Sequence, residues 1–197
     1  MVRAGKNMEL KELLEKTRSI RRFDPKVRIP LNELHEMVSY VRLCPSAGNF
    51  QPLRFFCISD RETCGKIFRN LRWAARLKNW EPSEIEQPGA YILILTEKSV
   101  AAAAPYDSGI AAHTILMAAA LKGYGGCMLG SIDRREVASI LSIDTEKYAI
   151  DLAVAVGAAA EKSVIEECTG DTCYRRAADG TFYVPKRSTE SVILEDC

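Results

Sequence analysis

The sequence predicts a single domain that contains both helices and strands. At 197 residues, with 47% hydrophobic and 27% charged residues, the chain has the size and composition of an ordinary globular protein with a full hydrophobic core. Apolar residues recur at helical spacing in several segments, whereas residues 90–96 form the continuous apolar run of a strand buried on both faces. No linker, internal repeat or low-complexity stretch interrupts the chain. We therefore expect residues 1–197 to fold as one domain.

Each element has its own sequence signal. Helices are predicted where apolar stripes alternate with charges and where proline or aspartate precedes the first turn. These segments are residues 8–16, 30–41, 61–80, 105–122 and 133–141. Buried strands are predicted where short apolar runs lie between turn signals. These runs are residues 54–59, 90–96 and 149–156.

The C-terminal part of the chain is more polar and shows no clear periodicity. Asp179 and Gly180 form a hairpin-type pair, and the apolar residues Phe182, Tyr183 and Val184 follow it. Near the end, the apolar residues 192–194 are typical of a tail that packs along the body of a domain or along a partner subunit.

Charge and cysteine content exclude several classes of function. A net charge of +1 gives the chain no overall attraction to nucleic acid or to an acidic membrane, and no apolar run approaches the ~20 residues that span a bilayer. Seven scattered cysteines without a Cys-x-x-Cys pair, and only two histidines, argue against a structural zinc site. The odd cysteine count and the absence of an apolar signal at residues 1–7 predict a protein of the reducing cytoplasm. Pairing of Cys168 with Cys173 in an oxidant is the less favoured alternative.

Two basic clusters at opposite ends of the chain suggest a local anion site. Residues 18–22 (Arg-Ser-Ile-Arg-Arg) follow the first predicted helix, and Lys186 and Arg187 lie near the C-terminus. Guanidinium groups and a serine hydroxyl suit a phosphate, because they donate charge-assisted and bidentate hydrogen bonds to its oxygens. Taken alone, such a cluster is also typical of a solvated surface turn.

Two further segments have the composition of a ligand-binding loop. Residues 45–52 (Pro-Ser-Ala-Gly-Asn-Phe-Gln-Pro) combine small residues, which let the backbone approach a flat ligand, with amide side chains that both donate and accept hydrogen bonds. The glycine-rich residues 123–130 also allow close approach to a ring system. Because they follow a predicted helix instead of a strand, a Rossmann nucleotide turn is not supported.

In this order, the motifs resemble those of the nitroreductase-type FMN-dependent oxidoreductases. Residues 18–23 resemble the N-terminal phosphate motif of that family. Residues 45–52 are similar to its Pro-Ser-Ala-x-Asn-x-Gln-Pro-Trp signature, the most specific match, with Leu53 in place of the tryptophan. Residues 107–130 resemble the central helix and its glycine-rich exit, and residues 184–187 resemble the C-terminal phosphate clamp.

The resemblance implies an α+β three-layer sandwich, in which helices flank a central, mostly antiparallel sheet. It also implies a homodimer with a domain-swapped C-terminal tail and with FMN at the interface. No catalytic side chain and no metal are implied, because N5 of the flavin carries the chemistry. The implied cofactor-binding residues are Arg18, Ser19, Lys186 and Arg187 for the phosphate; Arg21, or Arg22 if the turn is shifted by one residue, for the N1/O2 edge; Pro45, Ser46, Ala47 and Asn49 for the ring, from the partner subunit; and Met128, Leu129 and Gly130 for its other side.

The implied activity is transfer of hydride from NADH or NADPH, through FMN, to a small electron-poor acceptor of nitroaromatic or quinone type by a ping-pong mechanism. Residues 68–88 match the well-studied branches of the family poorly, and within them residues 81–89 predict a surface loop and a candidate mobile lid. Three alternatives stay open: a specialised dehalogenase-like or flavin-fragmenting member, a non-catalytic flavin-binding or regulatory protein, and an interaction module whose arginines are solvated.

Overall fold

The structure, a computed structural model, describes residues 8–77 and 80–195. Its strands are β1 (Leu53–Ile58), β2 (Ala90–Glu97), β3 (Gly125–Leu129), β4 (Tyr148–Gly157), β5 (Ser163–Glu167), β6 (Arg175–Arg176) and β7 (Phe182–Lys186). Its helices are α1 (Leu10–Lys16), α2 (Leu31–Val41), α3 (Arg61–Phe68), α4 (Pro105–Leu121), α5 (Arg134–Leu141) and α6 (Thr189–Val192).

A four-stranded sheet forms the centre of the fold. Its strands lie in the order β1-β2-β4-β3, and every neighbouring pair is antiparallel. All side chains of β2 except that of Glu97 are buried, which confirms the predicted central strand at residues 90–96. The predicted strand at 149–156 is confirmed by β4.

Helices cover both faces of this sheet, so the expected α+β sandwich is confirmed. Successive residues of a strand point to opposite faces, and each face of the sheet therefore has its own core. On one face, α2 and α4 bury Leu34, Met37 and Ile115 against the sheet. On the other face, α3 and α5 bury Ile67 and Val137.

Small residues let α4 and β3 approach each other closely. A Cβ atom at Gly126 would meet Cδ2 of Leu116 on α4 and would lie only 2.5 Å from the carbonyl oxygen of Ala155 on β4. Protein interiors are packed too densely to absorb such an atom without displacement. The glycine at this position therefore fixes the spacing between helix and sheet.

The predicted helix at residues 61–80 is wrong beyond Phe68. The next residues pair with the segment that follows β3, where the N–H of Arg72 donates to the carbonyl oxygen of Ser131 at 3.0 Å. Ala74 has a φ of 45°, outside the helical range. The apolar spacing correctly predicted the burial of Leu71 and Ala74, although Ala75 is exposed, and long-range backbone pairing determined the conformation.

The prediction that the first strand is buried is also wrong. β1 pairs only with β2 among the described strands, so it lies at the edge of the central sheet. Its side chains alternate in exposure, and Phe56 is 37% exposed. A run of apolar residues is therefore half solvent-facing here, at a sheet edge that a partner can cover.

The C-terminal region forms a second, three-stranded sheet in the order β5-β7-β6. β6 and β7 form the predicted hairpin, in which Gly180 has a φ of 84° and Asp179 accepts a hydrogen bond from the N–H of Thr181 at 2.9 Å. The parallel pairing of β5 with β7 was not predicted, because the region lacks alternation. The sheet leads into the short helix α6 and the exposed residues 192–194.

Several large apolar side chains lie on the surface of the single chain. Leu10 and Leu14 on α1 are exposed, which leaves the apolar stripe of the first helix largely uncovered. The others include Leu43, Phe50, Tyr106, Ile110, Val192, Ile193 and Leu194. Among the described residues, no helix has both the length and the apolar character needed to cross a membrane.

Candidate functional site

The arginine turn (residues 17–22) lies along the glycine-rich strand β3. The N–H of Ile20 donates to the carbonyl oxygen of Gly126 at 2.8 Å, and the two segments form an isolated parallel bridge there. The bridge pairs Ser19 with Gly126, and the side chain of Arg21 lies close to the buried thiol of Cys127 on the same strand. The turn is thus placed beside the strand whose end was predicted to contact the flavin ring.

Arg18, a half-buried residue of this turn, carries one buried donor atom without a partner among the described residues. Its Nε is shielded from solvent and has no hydrogen-bond partner among the described residues. Burial lowers the pKa of Arg18 from its ordinary value, although a guanidinium stays protonated at neutral pH. A buried cationic donor without an acceptor is unfavourable. The position therefore suits an anionic ligand, with the hydroxyl of Ser19 exposed beside it.

Arg22 is engaged by the segment predicted to form a lid. Its guanidinium forms an ion pair with Glu86, and the N–H of Phe23 donates to the carbonyl oxygen of Glu86 at 3.1 Å. Burial alone would raise the pKa of Glu86, but hydrogen bonds from Arg22 and Ser83 outweigh it, so the pKa lies below its ordinary value. These contacts tie the candidate lid to the body of the protein at Glu86. Of Arg21 and Arg22, the two candidates for the N1/O2 edge, only Arg21 has a guanidinium without an acidic side-chain partner among the described residues.

Arg21 is held by aromatic rings of the C-terminal sheet. The central carbon of its guanidinium lies 5.3 Å from the ring centroid of Tyr174 and 5.2 Å from that of Phe182. At such distances the face of an aromatic ring attracts a cation. Its Nε and Nη1 are buried without partners among the described residues. Arg21 thus joins the N-terminal turn to the C-terminal sheet and retains free donor groups.

Glu161 lies beneath the arginine turn, and sequence reasoning missed it. Its side chain is 1% exposed; Oε1 accepts hydrogen bonds from the N–H groups of Arg21 at 2.5 Å and Arg22 at 3.3 Å. Oε2 lies 2.6 Å from Nη2 of Arg176, without the alignment of a hydrogen bond. Arg176 also stacks on Trp80, 4.6 Å from its ring. The only sequence signal for this network was an arginine pair among aromatic residues.

The amide loop (residues 45–51) is held by a carboxylate at the start of α4. The hydroxyl of Ser46 donates to Oδ2 of Asp107 at 2.5 Å, and the N–H of Ala47 donates to Oδ1 at 3.1 Å. Asp107 is buried, and it was not among the predicted site residues. Asn49 has a φ of 55°, a left-handed conformation that asparagine tolerates better than most residues.

The predicted ring-contacting residues of β3 alternate in exposure. Met128 is 39% exposed, Leu129 is buried and Gly130 is exposed. No hydrogen bond or ion pair joins the amide loop to β3 or to the arginine turn within the part of the chain that the structure describes. The described contacts therefore join the arginine turn to β3 and the amide loop to the start of α4.

Lys186 and Arg187 lie at the exposed end of β7. Phe182, at the start of β7, is the residue that contacts Arg21, so Lys186 lies about 13 Å further along the strand at ~3.3 Å per residue. Within the described ranges, neither side chain forms an ion pair or a hydrogen bond with another residue. Within the single chain, Lys186 and Arg187 therefore lie at the surface and form no hydrogen bond or ion pair with Arg18.

A groove of about 310 Å³ lies next to the amide loop, between α2, α4 and β1. Most of its exposed wall area is apolar, and its polar lining residues are His35, Ser39, Arg42, Cys44, Ser46, Gln51, Arg54 and Asp107. It lies on the same side of the molecule as the exposed edge strand β1. In the described residues, no cluster of three His, Cys, Asp or Glu side chains is arranged to hold a metal ion.

Comparison with known proteins places this geometry in a family. The profile of the nitroreductase family matches residues 14–158. The Bacillus subtilis protein YdgI, provisionally named an NAD(P)H nitroreductase, is 21% identical over 198 residues; the match covers 80% of this chain and 91% of YdgI. Two solved structures share the fold. CLA-ER, a gut-bacterial enone reductase, superposes with a TM-score of 0.66 at 19% identity, over 84% of this chain and 93% of its own. A provisionally named nitroreductase from Exiguobacterium sibiricum, in complex with FMN, gives 0.65 at 17% identity, over 78% of this chain and 89% of its own.

The profile match covers well over half of the chain and includes both the arginine turn and the amide loop. The solved structures have the same arrangement of helices around a central sheet. On this basis, the chain belongs to the nitroreductase family.

Proposed function

We propose that this protein is an FMN-dependent oxidoreductase that takes hydride from NADH or NADPH and reduces a small electron-poor acceptor, of nitroaromatic or quinone type, by a ping-pong mechanism. Family membership supports the reaction class, and the names of the relatives support the reductant and the flavin. The observation that carries the proposal is Arg18, a half-buried arginine whose shielded Nε has no acceptor among the described residues, in a turn fixed to β3.

The residues at this site fit FMN. Its phosphate is close to a dianion, and the guanidinium of Arg18 with the hydroxyl of Ser19 offers the donors that such a group requires. Lys186 and Arg187 are exposed and would add the remaining positive charge. The end of β3, where Met128 and Gly130 are exposed, would lie against the ring, with Arg21 at its N1/O2 edge.

We further propose a homodimer in which the amide loop of one chain completes the site of the other. Within the described residues of one chain the loop forms no hydrogen bond or ion pair with the arginine turn, although both resemble motifs of the family. Leu43, Phe50 and Tyr106 are exposed around the loop, and residues 192–194 are exposed on the tail. Clusters of exposed apolar side chains are typical of surfaces that another chain covers. Exchange of the tails would cover both sets at once.

When bound, FMN would supply the two-electron chemistry, by which hydride from NAD(P)H and a solvent proton reach the acceptor. The chain's own residues bind and orient the cofactor and the two substrates. Arg21 would stabilise the negative charge that develops at the N1/O2 edge on reduction, and this makes acceptance of hydride more favourable. No acid–base triad is needed for this division of labour.

We also propose that the protein works in the reducing cytoplasm. None of the six cysteines in the described residues forms a disulfide, and Cys168 and Cys173 are both free. Burial raises the pKa of Cys64 to about 12 and that of Cys57 to about 11, so these thiols stay protonated and unreactive at neutral pH.

An FMN titration of the purified protein, followed by visible absorption, tests the proposal. We expect a yellow, dimeric complex whose flavin band bleaches when NADH or NADPH is added without oxygen and returns when a quinone is supplied. A protein that stays colourless and monomeric in excess FMN would overturn the proposal. A yellow protein that neither nucleotide bleaches would instead indicate a flavin-binding protein without this activity.

Substitution of Arg18 tests the site directly. Hydrogen bonds to charged groups contribute about 1.5–3 kcal/mol, so Arg18→Ala is expected to weaken FMN binding about 10- to 100-fold. The matched control is Arg135→Ala, because Arg135 is an exposed arginine on α5. Equal FMN dissociation constants for the two variants would remove Arg18 from the phosphate site.

A further inference from the structure

A buried ion pair lies directly beneath the arginine turn. The side chains of Glu161 and Arg176 are 1% and 14% exposed, and the charged groups lie 2.6 Å apart. Burying two charges is expensive, and replacing such a pair with apolar residues often leaves a protein equally or more stable. The presence of the pair is therefore weak evidence for a role in stability, and its contacts are the better guide.

These contacts converge on Arg21. Glu161 holds the backbone of Arg21 through its N–H, while the guanidinium groups of Arg21 and Arg176 each lie 5.2 Å from the ring centroid of Phe182. Trp80 and Tyr174 extend the aromatic enclosure around the two guanidinium groups. Two cations and one anion thus share one enclosure, which carries a net charge of +1.

Two neighbouring groups leave the charge of this enclosure unchanged. Arg22 is neutralised by Glu86. Cys127 lies close to Arg21, but burial raises the pKa of its thiol, which stays neutral at physiological pH. Because the enclosure is shielded from water, solvent and salt screen the charges of Arg21, Glu161 and Arg176 less than they screen charges at the surface.

We propose that Glu161 and Arg176 are positioning residues that hold Arg21 and set the net positive charge at the N1/O2 edge of FMN, and thereby the reduction potential of the bound cofactor. The inference rests on the proposed function, since it requires FMN beside Arg21. Glu161 lowers the effective positive charge of Arg21, and Arg176 restores it. Removing Glu161 therefore raises the net positive charge beside FMN, whereas removing Arg176 lowers it.

The test is a measurement of the FMN midpoint potential in Glu161→Gln, Arg176→Met and the double variant. Glu161→Gln raises the net charge of the enclosure to +2 and is expected to favour reduced flavin at least tenfold, a positive shift of about 30 mV for a two-electron couple. Arg176→Met lowers the net charge to zero and is expected to shift the potential in the negative direction. The double variant restores a net charge of +1 and is expected to return close to the wild-type value.

The control is a second ion pair in the same small sheet. Arg175 and Glu166 lie 2.7 Å apart but are 56% and 30% exposed. Glu166→Gln and Arg175→Met are expected to leave the potential unchanged, because solvent screens exposed charges. The melting temperature of each apo variant is measured alongside, since a purely structural role would lower stability in both buried variants without opposite shifts in potential.

The outcomes separate this inference from the proposed function. If wild-type protein binds no FMN, both fall together. If FMN binds but Glu161→Gln and Arg176→Met shift the midpoint potential in the same direction, or leave it unchanged, the inference is wrong while the proposed function stands. Where Glu161→Gln does not fold, Arg176→Met against Arg176→Lys decides, because the lysine keeps the charge and is expected to keep the wild-type potential.

Discussion

Asp107 is the residue whose replacement tests most directly how the amide loop is held. Its carboxylate accepts hydrogen bonds from the hydroxyl of Ser46 at 2.5 Å and from the N–H of Ala47 at 3.1 Å, and the residue is buried. Asp107→Ala removes both acceptors together. The loop would then keep only its internal hydrogen bonds, such as that from the N–H of Gln51 to Ser46.

The size of the effect follows from the two bonds. A hydrogen bond to a charged group contributes about 1.5–3 kcal/mol, but Ala47 is exposed and its N–H can rebind water. We therefore expect Asp107→Ala to lower the free energy of unfolding by about 2–4 kcal/mol. In a chain of this size each kcal/mol lowers Tm by roughly 3 °C, so the expected fall is about 6–12 °C. Asp107→Asn keeps one acceptor oxygen and is expected to lose about half as much.

Urea denaturation of the apo protein measures these differences, and a double-mutant cycle with Ser46→Ala isolates the contact. The expected coupling energy between Asp107 and Ser46 is about 1–2 kcal/mol, because the two side chains are in direct contact. Asp133→Ala is the control; Asp133 caps α5 through a single hydrogen bond at an exposed position and is expected to contribute about 1 kcal/mol.

The reasoning is refuted if Asp107→Ala destabilises the protein no more than Asp133→Ala and the coupling with Ser46 is below about 0.5 kcal/mol. In that case the amide loop would be ordered by other contacts. If the reasoning holds, FMN binding to the dimer is also expected to weaken in Asp107→Ala, since the loop would no longer be preorganised.

Three further predictions concern packing and titration. Gly126→Ala is expected to destabilise the protein by about 1–3 kcal/mol in urea denaturation, since the added Cβ has no space. Gly109→Ala in α4 is the control: nothing lies within 4 Å of its Cβ, and it is expected to stabilise the helix by roughly 0.5–1 kcal/mol. Equal effects of the two substitutions would contradict the packing argument. The pKa of Glu86 is depressed in the folded protein, so the ionised side chain contributes to stability above pH 4.5, and this contribution is lost as the pH falls through the lower folded pKa. Glu86→Gln is expected to flatten the pH–stability curve in this range. An unchanged curve would exclude the ion pair between Glu86 and Arg22 as the cause of that pH dependence. Cys64, whose pKa is raised to about 12, is expected to resist alkylation at pH 8 in the native state and to react on unfolding, as mass spectrometry of labelled peptides would show; rapid native labelling would contradict its burial.

Sequence reasoning was most successful where one physical demand governed a whole segment. The apolar run at 90–96 has to be buried on both faces, and it forms the central strand β2. The alanine-rich segment beginning at Pro105 forms α4, which ends at Leu121; Gly123, with a φ of 83°, follows just beyond it. In both segments, local pattern and tertiary environment favour the same structure, so no long-range information was needed.

It failed where long-range pairing determined the conformation. Residues after Phe68 keep a helical pattern of apolar residues, yet Leu71 forms a bridge with Ile132 and leaves the helix. Phe56 lies in an apolar run that resembles a buried strand, but the run is placed at a sheet edge. Neither outcome is encoded in local spacing, because each depends on which distant segment arrives beside it.

The same distinction applies to the candidate site. Arg18 and Ser19 stand out because several phosphate-binding residue types are adjacent in the sequence. Glu161 and Asp107 do not stand out in the sequence. Each is a single carboxylate that accepts hydrogen bonds from backbone N–H groups distant in the sequence. Residues that bind a ligand can form a recognisable motif, whereas residues that hold those motifs in place are found only after the chain is folded.

Backbone pairing also explains why the arginine turn is ready for a ligand before one binds. Phe23 and Ala159 form an antiparallel bridge, and beside it the N–H of Ala160 donates to the carbonyl oxygen of Arg22 at 2.9 Å. Together with the bond from Ile20 to β3, these contacts fix the turn on both sides without using a guanidinium group. A site whose backbone is already fixed loses less conformational entropy on binding. The fold therefore holds the backbone of the turn in place, and under the proposed function a phosphate would mainly have to satisfy the guanidinium of Arg18.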